Sequence, residues 1–477
     1  MVLGQKPGRV CRRRSEPRHA SGGVLFLSLP DVRTLILNLL IAAPGLLPAQ
    51  RLSGRFVGEA PDSVLLLDTR GASHQLLLRS PVGLQGEFAF PAAAIPGQGF
   101  YQLAVNDTDR ADIILDPREQ EVVLLFSGRP LQSHITVLQS AENERLWAYK
   151  AVSRETQAMR KAADLERTGL RPDEVTRSRQ LDSIVQRADA LKDAHLDRLI
   201  AEHPESYFAK VVRADRALLG MQGRPPMDVA RAFAFDDPGL MRCAVHPQAV
   251  LVFLRNIRAF NEEQFVNAAD TLIALTGGCA ECRRYMIEHL VEIFATYGPD
   301  IALQHLIDRY VDREAQALRF SAATLDKVKA FQRVSVGRIG PDAPLKDPTT
   351  GTVRPLSELA RGHRAVVLFF YSSTCDHCHE QMPGLARMYT ERSGDGLQVI
   401  GVALDDDAAL VETTRTAKGL TFPCFSHLQG WGDPAARAYA VQGTPTLFVL
   451  DGELRIHAKP HDAAEAREVV LQLLARP

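Results

Sequence analysis

The stretch Phe369-Phe370-Tyr371-Ser372-Ser373-Thr374-Cys375-Asp376-His377-Cys378 decides the reading of this chain. It begins inside Ala365–Tyr371, an alanine followed by six apolar or aromatic residues, which reads as a buried strand. Short polar residues then turn the chain, and Cys375 stands where a helix opens. Two residues between the cysteines bring the sulfurs into one helical turn, close enough for a disulfide. The first thiol sits at the helix N-terminus, where unpaired N–H groups and the helix dipole stabilise a thiolate. The second lies inside the first turn and is more shielded. That division of exposure suits Cys375 to attack a disulfide and Cys378 to resolve the mixed disulfide that results.

His377 and Asp376 lie between the sulfurs and tune the Cys375 thiol in opposite directions. An imidazolium favours the thiolate, and a carboxylate opposes it. Further along, Gly443-Thr444-Pro445-Thr446 precedes an apolar run. A cis peptide bond there would present the Thr444 backbone to a substrate strand, so Thr444 and Pro445 are expected to shape a substrate groove. Pro383, five residues after Cys378, is expected to bend the helix.

Around this centre, strands and helices alternate. A strand is expected at Leu397–Leu404, a helix from Asp407 and a short strand near Phe422–Phe425. Asp433-Pro434 caps another helix, and a hairpin turns at Asp451-Gly452 before a last helix, Ala463–Leu474. Such alternation, ending in a hairpin, predicts a mixed sheet with helices on both faces for residues 334–477. Upstream, residues 140–333 carry apolar positions at helical spacing, as in Leu181, Ile184, Val185, Ala188 and Leu191, broken by Gly and Pro pairs. About seven to nine helices in an irregular bundle are expected. Residues 50–139 show short strand-like runs between Gly, Pro, Asn and Asp, which predict a small antiparallel β-sandwich or barrel. The chain is therefore expected to be multidomain: a leader over 1–49, an all-β domain over 50–139, a helical region over 140–333 and an α/β domain over 334–477.

The C-terminal part resembles the TlpA/ResA-like branch of the thioredoxin superfamily, also grouped with AhpC/TSA-type redoxins. The resemblance rests on Gly340-Pro341-Asp342-Ala343-Pro344, the strand 365–371, Cys375-Asp376-His377-Cys378, Pro383 and Thr444-Pro445. The order of leader, β-domain, helices and thioredoxin-like end also resembles envelope thiol–disulfide oxidoreductases of Gram-negative bacteria. These resemblances imply a thioredoxin-like fold and reduction or isomerisation of protein disulfides. They also imply protein thiols and disulfides as partners, with an envelope electron donor. No organic cofactor is implied, because the disulfide is itself the redox group. The chain departs from the family's pattern at two places. Many thioredoxins place an acid six residues before the first cysteine, where this chain has Phe369. TlpA/ResA-like reductases often place a glutamate three residues after the second cysteine, where this chain has Gln381. The neighbouring Glu380 is turned away by ~100° on a helix.

Seven cysteines are present, at 11, 243, 279, 282, 375, 378 and 424. Cys279-Ala280-Glu281-Cys282 follows Gly277-Gly278 and opens a helix without a preceding strand. It reads as a local structural disulfide or unremarkable thiols, the sharper alternative being a second redox pair exchanging electrons with Cys375. Cys243 and Cys424 read as packed thiols. A zinc site at Cys375/Cys378 would need two more ligands at usable spacing. His379 is the nearest candidate, and no metal is expected. A thiol peroxidase would want Pro-x-x-x-Thr-x-x-Cys, and residues 368–375 lack the proline. A docking module without exchange activity is the alternative from a different class.

The 477 residues carry a formal charge of −1, which gives no reason to expect nucleic acid as a partner. The N-terminus is basic up to Arg33. A nearly uncharged run, Thr34 to Leu47, follows and closes on Leu-Pro-Ala-Gln at 47–50. This is the layout of a secretory signal peptide, with cleavage expected after Ala49 and export to the periplasm or cell envelope. Pro44 and Gly45 interrupt the apolar run, which argues against a membrane-spanning anchor.

Overall fold

The computed structural model describes residues 51–475 apart from 71–72, 92–94, 172 and 259–260. The leader expected at 1–49, with Cys11, lies outside the described residues. Strands β1 (Arg51–Phe56), β2 (Ser63–Arg70), β3 (Ser73–Pro81), β4 (Glu87–Phe90), β5 (Gly99–Ala104), β6 (Arg110–Leu115), β7 (Glu121–Phe126) and β8 (Ile135–Gln139) form two sheets. Their orders are β4-β1-β7-β8 and β3-β2-β5-β6. In β7 the alternate residues Val122, Leu124 and Phe126 are fully buried, the period-2 signature of a strand with one face on a core. Phe56 stacks on Phe126 with ring centroids 5.2 Å apart. The expectation of a purely antiparallel arrangement is corrected at one pairing: β1 runs parallel to β7. The chain leaves the first sheet after β1, builds β2 and β3 in the second, returns antiparallel to β1 as β4, adds β5 and β6 to the second sheet, and comes back on the other side of β1 as β7, in the same direction.

The helices that follow are α1 (Ala141–Thr168), α2 (Val175–Glu202), α3 (Tyr207–Leu218), α4 (Pro226–Ala232), α5 (Val245–Arg255), α6 (Glu263–Ala274) and α7 (Ala280–Tyr297). A run, α8, then passes from Asp300–Leu306 through a π turn at Ile307–Val311 into Asp312–Leu318, and α9 (Ala322–Arg333) ends the region. Most buried apolar side chains of these strands and helices belong to one continuous cluster, from Leu52 through Phe126 and Tyr207 to Phe331. Polar clamps fix the junction. Asn143 donates to the Ile114 carbonyl at 2.7 Å and accepts the Ile114 N–H at 2.8 Å. The Glu142 carboxylate accepts the backbone N–H groups of Tyr207 and Phe208, each at 2.9 Å. These donors open α3 and have no partner within their own helix, so an acidic side chain from α1 takes them.

Beyond α9 the segment around Gly337 runs beside the C-terminal hairpin. The Gly337 N–H donates to Ile456 O at 2.7 Å, and Ile339 bridges Arg455. A side chain at Gly340 would meet the Tyr439 hydroxyl at 2.7 Å, so the close approach requires glycine there. The remaining elements are β9 (Pro344–Lys346), β10 (Val353–Pro355), α10 (Leu356–Ala360), β11 (Ala365–Tyr371), α11 (Asp376–Arg392) and β12 (Leu397–Ala403). After them come α12 (Ala408–Ala417), β13 (Cys424–Phe425), α13 (Pro434–Ala438), β14 (Thr446–Leu450), β15 (Ile456–Ala458) and α14 (Ala463–Ala475). Their five-stranded sheet has the order β13-β12-β11-β14-β15, with β11 parallel to β12 and antiparallel to β14. Every residue of β11 is buried. Val366, Leu368 and Phe370 pack on one face, while Ala365, Val367, Phe369 and Tyr371 pack on the other. A continuous apolar run is what a central strand covered on both faces requires.

Glu142→Ala should leave two buried N–H donors unpaired and lower stability by about 2–4 kcal/mol. Glu142→Gln, which keeps one acceptor oxygen, should recover part of that loss. Chemical denaturation followed through Trp147, in a Trp431→Phe background, measures both.

Candidate active site

The buried strand β11 delivers the chain at Tyr371, and the turn Ser372–Thr374 carries it to Cys375. The turn is held from below by the buried Asp405, just beyond β12. Its carboxylate accepts from the Ser373 N–H at 3.1 Å, the Ser373 hydroxyl at 2.7 Å and the Ser372 hydroxyl at 3.0 Å. Cys375 is the N-cap of α11, with extended backbone, and its sulfur accepts the N–H of Cys378 at 3.2 Å. The two cysteines are disulfide-bonded, with Cα atoms 5.2 Å apart. Cys375 is half-buried, whereas Cys378 is fully buried among Val367, Phe369, Tyr371 and Met382. One sulfur is within reach of a substrate and the other is sealed behind it.

The Thr444–Pro445 bond is cis, and the Thr444 carbonyl oxygen lies 3.5 Å from Cys375 Sγ. Residues 69 positions apart are thus brought together at one sulfur. Thr444 and Pro445 also line a cleft of about 550 Å³ whose far wall comes from the helical region, with Phe294, Lys327 and Phe331. Two ion pairs tie its edge across the two regions. Lys459 reaches Asp300 at 2.7 Å, and His461 Nε2 lies 2.9 Å from the Glu262 carboxylate. That hydrogen bond, with the charges of Glu465 and Asp300, raises the His461 pKa above its ordinary 6.5.

The flanking residues fall in different places. His377 is exposed, with Nδ1 3.5 Å from the Glu380 carboxylate, and Asp376 is exposed in the first turn. His379 turns to the active-site loop, its Nε2 3.0 Å from Ser373 O. Phe369, six residues before Cys375, is fully buried and stacked on Tyr371 at 5.2 Å. Gln381 caps another element: its Oε1 accepts the N–H of Ala463 at 2.9 Å, at the start of α14. Pro383 stands inside α11, which continues to Arg392. Cys424 and Cys243 are thiols without disulfide partners, and burial pushes each up to about 11.

Sequence reading missed Asp405, which lies 30 residues beyond Cys375 with no spacing signal to join them. The only hint was an acid directly after a buried strand. It also missed the helical wall of the cleft, because that wall is a tertiary contact between two regions read separately.

A buried strand ending at a helix-capping C-x-x-C, facing a cis-proline turn on a mixed sheet, defines a thioredoxin-like domain. Residues 336–459 match the AhpC/TSA family. The thiol-disulfide oxidoreductase ResA of Geobacillus kaustophilus is 32% identical over 124 residues, which is 26% of this chain and 68% of the relative. That of Geobacillus thermodenitrificans is 31% identical over 118 residues, 25% of this chain and 64% of the relative. Among solved structures, a putative thiol:disulfide interchange protein DsbE from Chlorobium tepidum aligns at 25% identity. It covers 30% of this chain and 99% of its own, with a TM-score of 0.27. Through its C-terminal domain the chain belongs to the TlpA/ResA-like thiol–disulfide oxidoreductases of the thioredoxin superfamily.

Two outcomes follow from this geometry. Asp405→Ala should release the 372–374 turn and slow alkylation of reduced Cys375 by about 10–100-fold, the size expected from displacing a reacting group by an ångström. Far-UV circular dichroism should stay unchanged. The His461–Glu262 contact depends on a protonated imidazole whose pKa is raised. Its contribution is therefore complete below pH 6.5 and fades as pH rises through the raised value. Protection from hydrogen exchange at residues 440–446, after division by the intrinsic rate at each pH, should fall over that interval, and His461→Gln should remove that fall.

Proposed function

We propose that this chain is an exported thiol–disulfide oxidoreductase that reduces or isomerises protein disulfides with Cys375 and Cys378. The observation that carries this reading is the half-buried Cys375 sulfur, which caps α11, accepts the Cys378 N–H and lies against the Thr444 carbonyl. In the reduced protein, the N–H of Cys378 and the start of the helix favour a thiolate at Cys375. That thiolate attacks one sulfur of a substrate disulfide, and the other substrate sulfur leaves as a thiolate. Cys378 then attacks Cys375 in the mixed disulfide, the second substrate thiolate departs, and the Cys375–Cys378 bond forms. Two electrons pass to the substrate, and an envelope dithiol donor restores the pair. Isomerisation uses the first step alone, with a substrate thiol resolving the mixed disulfide.

Thr444 and Pro445 present the strand edge along which an extended substrate segment lies. His377 and Asp376 act on Cys375 through solvent, so their influence is screened. No organic cofactor takes part in this scheme, since the disulfide carries the electrons. The leader at 1–49 directs export to the cell envelope, where disulfide substrates persist. Among the described residues, no helix is long and apolar enough to cross a membrane.

The wild-type chain should reduce insulin disulfides in the presence of a dithiol, and Cys375→Ser should abolish that activity. Cys378→Ser should accumulate substrate covalently attached at Cys375, seen by intact mass. An intact fold without turnover or adduct would leave a docking module in place of an enzyme.

A further inference from the structure

The second C-x-x-C repeats the local geometry of the first. Cys279 is the N-cap of α7, in extended conformation, and its sulfur accepts the N–H of Cys282 at 3.1 Å. The pair is disulfide-bonded with Cα atoms 5.2 Å apart, the same separation as at Cys375 and Cys378. Cys279 is half-buried and Cys282 is fully buried, again dividing the pair into a reachable and a sealed sulfur. A strand and a cis-proline turn are not part of this site. It is placed instead at the end of α7 remote from the cleft, whose wall includes Phe294. Fifteen residues of helix separate Cys279 from Phe294, ~22 Å at 1.5 Å per residue. The second pair is therefore not part of that cleft.

The surroundings of Cys282 set it apart from a structural staple. It packs against Met241 and the buried Tyr285. The Tyr285 ring lies 4.9 Å from that of His246 and 6.0 Å from that of His289, on which it stacks. The Tyr285 hydroxyl, both ring nitrogens of the fully buried His246 and the His289 Nε2 have no hydrogen-bond partner among the described residues. Burial lowers the two imidazoles to about 3 and about 4, so both are neutral. Unpaired buried polar atoms are destabilising, and a cluster of them calls for a cause. Opening the disulfide turns Cys282, packed in the same cluster as Tyr285, into a thiol that donates as well as accepts, whereas a disulfide sulfur has no proton to give. The dithiol form thus adds a hydrogen-bonding group to a cluster short of partners, which favours reduction.

We propose that Cys279–Cys282 is a second redox-active disulfide that accepts two electrons from an external dithiol. A donor thiolate attacks Cys279 Sγ, the Cys279–Cys282 bond breaks, and Cys282 leaves as a thiolate and takes up a proton. The donor's second thiolate attacks its own sulfur in the mixed disulfide. Cys279 then leaves as a thiolate stabilised by the start of α7 and is protonated in turn. The donor ends as a disulfide and the pair as a dithiol.

The test uses the full chain carrying Cys375→Ser and Cys378→Ser, so that the first pair contributes nothing. The protein is equilibrated in glutathione buffers of graded ratio, alkylated, and residues 279 and 282 are mapped by peptide mass. The dithiol-to-disulfide ratio is expected to rise tenfold for each tenfold rise in [GSH]²/[GSSG], with circular dichroism unchanged. In addition, Cys282→Ser in the same background is expected to carry glutathione at Cys279. A pair that stays oxidised at every ratio overturns the proposal, as does one that opens only when the fold is lost. Because neither variant retains Cys375, failure here leaves the reading of the C-terminal site intact, and success does not depend on it.

Discussion

The interaction on which the site depends is the hydrogen bond from the Cys378 N–H to the Cys375 sulfur, at the first turn of α11. A helix start leaves N–H groups without partners, and a sulfur placed at the N-cap takes one of them. The same contact that ends the frayed turn makes a thiolate there less costly than elsewhere on the chain. Everything around it serves to keep the sulfur in that position. The strand β11 is buried on both faces and cannot shift register without exposing its apolar residues. Asp405 then fixes the three residues between the strand and the cap.

The elements nearest the cysteines were legible because each carries a local signature. The seven residues Ala365–Tyr371 form a strand over those bounds, since an unbroken apolar run flanked by polar residues leaves few alternatives. Asp407 and Asp433 cap the helices they were expected to open. Thr444-Pro445 stands beside Cys375, as the motif implied. Illegible were the long-range polar contacts. Glu142 on Tyr207 and Asp405 on Ser373 join residues 65 and 32 positions apart, and neither leaves a periodic mark. Strand β1, Arg51–Phe56, falls within the region read as β but carries a weak mark of its own: Arg51, Ser53, Gly54 and Arg55 dilute its apolar residues, and its partners lie in β4 and β7.

Two departures from the family's pattern have a structural account. A buried carboxylate at position 369 would sit inside the apolar layer formed by Val367, Tyr371 and Met382. Phe369 instead stacks on Tyr371, and Cys378 lies in the same apolar layer. Gln381 is occupied in joining α11 to α14 through the Ala463 N–H. Positions 369 and 381 are thus given over to packing and capping. The helical region meanwhile contributes Phe294, Lys327 and Phe331 to the cleft beside Thr444 and Pro445.

Exchange at this site requires that Cys375 and Cys378 cycle between dithiol and disulfide in the folded protein. Equilibrating the wild-type chain in graded redox buffers, alkylating free thiols and counting them at these two residues tests it most directly. A reversible two-electron titration is expected, with a midpoint between about −300 and −120 mV, the range of exchange-active disulfides. A pair that stays closed until far below about −300 mV, as structural disulfides do, would contradict it.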